Sequence, residues 1–151
     1  MDNFCNRASL TWLRTSAHRL EIELGRRNNT PRNERVCRWC TSHEHTDEIE
    51  NEQHLIYKCS LNTPARTVLI NKIIKILSNY SLHPQDHLSL PNIFLHLTNY
   101  DNNISISPSL SLDDQQHLCI IIANYVANCF KRRQKFIENK DNVFLPTSSR
   151  D

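Results

Sequence analysis

Cys37-Arg38-Trp39-Cys40 and, after thirteen intervening residues, His54-Leu55-Ile56-Tyr57-Lys58-Cys59 carry the decisive pattern of this 151-residue chain. A Cys-x-x-Cys pair places two thiols on one tight turn. The second half, His-x4-Cys, adds one imidazole and a third thiol. Three sulfurs and one nitrogen are the donor set that zinc takes in closed, four-coordinate structural sites. The spacing therefore predicts one structural zinc ion held by Cys37, Cys40, His54 and Cys59. A rival puts His43 or His45 in place of His54, but these follow Cys40 by only three and five residues, which strains the loop. A closed site leaves no coordination position for a reacting water, so a zinc-hydrolase role is not expected.

Working outward, Leu10, Leu13, Ala17, Leu20 and Leu24 recur at spacings of three and four. This stripe predicts one helix of about four turns, with Gly25 placed to end it in a left-handed conformation. Arg26 to Arg35 reads as a basic loop and Thr41 to Glu50 as an acidic excursion. Asn51 to Lys58 reads as a short helix carrying His54. Thr63 as N-cap and Pro64 as first helical residue then open a long helix, whose core face is Leu69, Ile70, Ile73, Ile74 and Leu77.

Ser78 to Gln85 reads as a turn region, Pro91 to Thr98 as a short helix and Tyr100 to Ser111 as a linker. Ser111 can cap a final helix whose first turn holds Asp113 and Asp114, where negative charge favours the helix dipole. Leu118, Ile121, Ile122, Tyr125, Val126, Cys129, Arg133, Phe136 and Ile137 follow its period. The expected class is all-α: a small helical domain with an N-terminal Cys-Cys-His-Cys zinc module and a long C-terminal helix. The expected division is residues 1–63 for the first helix and zinc module, 64–140 for a helical extension packing on it, and 141–151 for a disordered tail.

The single glycine excludes a class of function. Average usage would give about ten in a chain of this length, and phosphate-cradling loops need several. Neither a P-loop nor a dinucleotide fingerprint is present, so no nucleotide cofactor is expected. The first residues hold no apolar signal core, and the longest apolar run, Leu118 to Ala123, is too short to span a membrane. With a metal-type cysteine pair, this points to an intracellular chain of the nucleus or cytoplasm. Net charge is only +2, but it is unevenly spread. Residues 1–40 hold eight Arg against four acids, whereas 41–56 hold five acids and no Lys or Arg. A basic face beside the zinc is the expected consequence.

Several of these residues also resemble a known family. Leu13-Arg14-Thr15-Ser16-Ala17-His18-Arg19-Leu20-Glu21-Ile22-Glu23-Leu24-Gly25-Arg26 is similar to the segment that follows the polymerase in non-LTR retrotransposon reverse transcriptases. Arg35-Val36-Cys37-Arg38-Trp39-Cys40 looks like that family's arginine-led cysteine pair, and Glu48 to Cys59 like its acidic lead-in to His-x4-Cys. Tyr125 to Arg133 resembles its closing helix. The resemblance covers about residues 10–66 and, more weakly, 115–137. Arg27 and Leu55 stand where the family favours aromatics.

No polymerase or endonuclease motif accompanies these residues, and Asp113-Asp114 is explained by its place at a helix start. The resemblance thus implies a detached tail: a non-catalytic, zinc-dependent module binding RNA or DNA, rather than an enzyme. On that reading Arg14, Arg19, Arg26, Arg27, Arg32, Arg35, Arg38 and Lys58 contact phosphates. Trp39 either stacks on an unpaired base or packs over the zinc against the first helix. The alternative is a structural or protein-interaction domain of a retroelement remnant, and neither reading fixes an oligomeric state.

Overall fold

The computed structural model describes residues 8–80, except 10 and 14, and residues 110–143. The expected helix over 91–98, the turn beyond residue 80, the linker up to residue 109, Leu10, Arg14 and residues 144–151 lie outside them. Helices dominate: α1 (Glu21–Arg27), α2 (Arg38–His43), α3 (Thr63–Ser78) and α4 (Leu112–Val143). Residues 8–9 and 11–13 are also helical. Among the described residues there is no strand, only an isolated antiparallel bridge between Val36 and Ile49. The all-α class and the long C-terminal helix are therefore as the sequence indicates.

The first helix is not continuous. The chain leaves helical geometry between Thr15 and Leu20, with Ser16 at φ 52°, and α1 starts afresh. Tertiary contacts outweigh the local stripe here. His18 turns inward, only 3 % exposed. Its Nδ1 accepts from Leu20 N–H at 3.4 Å, which leaves Nε2–H to donate to Glu52 at 2.8 Å. The Glu21 N–H, one of the orphan donors at the start of α1, donates to the Glu50 carboxylate at 2.8 Å.

Gly25 does not end α1; it lies inside it. A Cβ there would fall 2.5 Å from Arg35 Cγ, because the Arg35 side chain is laid across this position. The left-handed residue after the helix is Asn29, at φ 55°.

A 3₁₀ turn, Ser60–Asn62, runs directly into α3. That displaces the cap by one residue, to Asn62 rather than Thr63. Asn62 is fully buried, and its side-chain amide donates to Leu55 O at 3.1 Å. The inner face of α3 is Leu69, Ile73, Ile76 and Leu77, while Ile74 is 40 % exposed. The stripe is thus turned toward Ile76 by the packing of α4. Ser111 caps α4 as expected, its Oγ accepting from Asp114 N–H at 3.2 Å and donating to the Asp114 carboxylate at 2.9 Å.

One apolar core joins these parts. Leu13, Leu20, Leu55 and Ile56 meet Leu69, Ile73 and Leu77 of α3, and Leu118, Ile122, Tyr125, Val126 and Cys129 of α4. Burying each large aliphatic side chain contributes about 1.5–3 kcal/mol. Leu55 and Ile56 follow His54 directly, so this core also seats the predicted metal turn. No described helix is long and apolar enough to cross a membrane.

Candidate metal centre

Cys37, Cys40, His54 and Cys59 converge, with donor atoms all within 4.8 Å of one another and all four residues buried. Local structure explains the convergence. Cys37 directly precedes α2 and donates its N–H to Glu48 O at 2.8 Å, while Glu50 N–H donates to Arg35 O at 2.9 Å. Those two bonds flank the Val36–Ile49 bridge and fix the acidic excursion against the knuckle. Cys40 sits in the first turn of α2, its sulfur on the same side as Cys37.

The other half is a wide turn. His54 N–H donates to the Asn51 side chain at 2.8 Å, and Cys59 N–H closes back on His54 O at 2.7 Å. In an α-helix, side chains five apart point about 140° away from each other. The five-residue closure, His54–Lys58 as a single π-type turn, takes up the extra residue and brings His54 and Cys59 together. Arg66 then holds the far side, donating to Ile56 O at 3.1 Å and Cys59 O at 2.8 Å. From α4, the Tyr125 hydroxyl donates to Ile56 O and Arg132 to Leu61 O at 2.7 Å.

The donor separations fit a shared cation. Cys37 and Cys59 sulfurs are 3.8 Å apart, Cys40 and Cys59 sulfurs 3.9 Å, and Cys40 Sγ lies 3.4 Å from His54 Nε2. A tetrahedron with metal–sulfur bonds of about 2.3 Å has edges of about 3.8 Å, slightly shorter to nitrogen. Sulfurs at these separations are far beyond the roughly 2.05 Å of a disulfide, and the three cysteines are reduced. The arrangement can hold one metal ion. His54 Nδ1 is buried without a hydrogen-bond partner among the described residues, while Nε2 faces Cys40 Sγ.

Electrostatics point the same way. Hydrogen bonding from Cys59, aided by His54, holds the Cys37 thiol down at about 3. Burial and the neighbouring Cys37 charge push Cys40 up to about 12. The hydrogen bond to Cys37, then burial, push Cys59 far up. Burial and mutual repulsion oppose ionising all three sulfurs together, and a divalent cation at their centre would offset both.

Trp39 packs against this cluster. Its indole Nε1–H donates to Ser60 Oγ at 3.0 Å, its ring stacks on His43 at 3.8 Å, and Phe136 of α4 meets it edge-on at 5.1 Å. It covers the centre against α4 rather than against the first helix. His43 serves as its stacking partner and His45 is exposed, so neither is part of the cluster.

The arginines divide into two groups. Arg26 pairs with Glu23 at 2.6 Å and Arg38 with Glu21 at 3.0 Å. Arg35 donates to Thr30 O at 2.9 Å and Ile22 O at 3.1 Å, which makes it a bracket of α1. Arg19, Arg27, Arg32 and Lys58 are exposed and have no carboxylate partner among the described residues.

Sequence reasoning missed one pair. Arg133 of α4 and Glu50 form a buried, two-pronged ion pair with both contacts at 2.6 Å. An arginine inside an otherwise apolar stripe was the signal that could have found it. This pair ties α4 to the residue next to the Val36–Ile49 bridge.

No protein-family model, no curated protein and no solved structure matches this chain.

Proposed function

We propose that the chain is a non-catalytic, zinc-organised module that binds single-stranded nucleic acid through exposed cations. Zinc is the assignment because three thiolates and one imidazole at tetrahedral spacing suit its soft, closed coordination. Arg19, Arg27, Arg32 and Lys58 carry the binding reading: they are exposed, without a carboxylate partner among the described residues, on the scaffold that surrounds the candidate metal cluster. Such charges contribute a salt-sensitive, sequence-independent attraction to phosphates. The similarity of residues 13–26, 35–40 and 48–59 to retrotransposon reverse-transcriptase tails supports the same partner, element RNA or target DNA.

The test is a titration of zinc-loaded protein with single-stranded RNA and nicked DNA at low salt. Binding should weaken steeply with salt, and replacing Arg27, Arg32 and Lys58 by alanine should lower both affinity and salt slope. Absence of binding at low salt would overturn the reading. A structural or protein-interaction role is the second reading, favoured by Val68, Ile74 and Ile120, large apolar side chains left 40–55 % exposed on α3 and α4.

A further inference from the structure

Away from the metal, a groove of about 650 Å³ runs between the residue 8–19 segment and α4. Trp12, half exposed, and Phe130 give it aromatic walls, and His18 lies at its floor with its ring 6.1 Å from that of Phe130. Arg19, Lys131 and Gln134 stand on its rim, and among the described residues its lining contains no Asp or Glu. Arg133 also reaches it but is neutralised by Glu50. His18 is engaged by Glu52 and Leu20. Arg19 and Lys131 are both exposed and have no acidic partner among the described residues.

Two cations above an aromatic-walled slot with no acid among its described lining residues complement one ligand chemistry: a flat ring attached to a phosphate. The volume falls within the range of small-ligand sites, which runs to roughly 300–1,000 Å³. Every base offers a π-face for stacking, so such a slot takes a base without selecting its identity. We propose that this groove seats one unpaired nucleotide of a single strand, with the base against Trp12 and Phe130 and its phosphates at Arg19 and Lys131. The inference rests on the nucleic-acid reading above and extends it: Arg19 belongs to both, and the groove adds Trp12, Phe130 and Lys131.

The experiment uses the full zinc-loaded chain and short oligo(dT) and oligo(rU) strands, read by tryptophan fluorescence and anisotropy. Trp39 is already stacked and hydrogen-bonded, so quenching on binding should come from Trp12 and vanish in Trp12→Phe. Trp12→Ser should bind at least about fivefold more weakly. Lys131→Ala, which removes the cation belonging to the groove alone, should reduce the salt slope by about 0.7, one lost phosphate contact. Unchanged circular dichroism and zinc content would show that these surface variants fold.

Strand binding that leaves Trp12 fluorescence and the Trp12→Ser affinity unchanged would overturn the groove while sparing the proposed function. No strand binding at low salt would overturn both. A dimer that dissociates in Trp12→Ser would show that a second copy fills the groove, and would likewise overturn it.

Discussion

Replacing Arg133 by methionine should cost about 3–5 kcal/mol, because it leaves a buried carboxylate without its counter-charge, held by the Glu21 N–H alone. Glu50 is 3 % exposed and receives two guanidinium bonds of 2.6 Å, together with the Glu21 N–H at 2.8 Å. Methionine keeps most of the buried stem but removes both charged donors. Two charge-assisted bonds at about 1.5–3 kcal/mol each give the same magnitude independently. Against a total stability of about 5–15 kcal/mol this is a large fraction.

Glu50→Gln should also destabilise, since it strands Arg133 with only Glu21, 3.7 Å away. The double variant buries no unpaired charge and should recover at least about 2 kcal/mol relative to the sum of the single changes. Urea unfolding followed by circular dichroism, at saturating metal, measures the cycle. A loss under about 1 kcal/mol for Arg133→Met, or additivity within about 0.5 kcal/mol, would refute the claim that this pair clamps α4 to the module.

Gly25→Ala should destabilise by about 1–3 kcal/mol despite alanine's better helix propensity, because the new methyl collides with the Arg35 stem; a raised melting temperature would contradict it. Ser111→Ala should cost about 1 kcal/mol through loss of the α4 cap, measurable in the same urea assay. Hydrogen bonds from Tyr80 and Ser111 hold the Asp114 carboxyl below its ordinary 3.8. A depressed folded pKa means stability that is present above pH 4 or so and lost as pH falls through the folded value. The stability gap between wild type and Asp114→Asn should therefore shrink below that pH, and a constant gap would count against it. Burial raises the Cys129 thiol to about 11, so at pH 8 a thiol reagent should modify exposed Cys119 well before Cys129. Chelation should then expose Cys37, Cys40 and Cys59 to the reagent; unchanged labelling would argue against a metal among them.

The metal set was legible because coordination chemistry restricts both residue type and spacing. His54 over His43 followed from loop length alone, and the π-type closure supplied what spacing could not show: how His54 and Cys59 reach one point. The helix stripes of Leu69 to Leu77 and Leu118 to Cys129 were readable for the same periodic reason. The break at Thr15 to Leu20 was not, since Leu13, Ala17, Leu20 and Leu24 keep helical spacing across it. It is imposed by His18 meeting Glu52, 34 residues away, a contact outside any local window. Gly25 misled because a glycine at a helix end and a glycine under a crossing side chain look alike in sequence. Which arginines find partners was not readable either, because Glu21, Glu23 and the Thr30 carbonyl meet Arg38, Arg26 and Arg35 only once the fold is formed.

X-ray absorption at the zinc edge of the purified, metal-loaded chain tests the central claim most directly. Four buried side chains sharing one cation predict one zinc per chain, with three sulfurs at about 2.3 Å and one nitrogen at about 2.0 Å. Substoichiometric metal, or a shell of oxygens with fewer than three sulfurs, would contradict it.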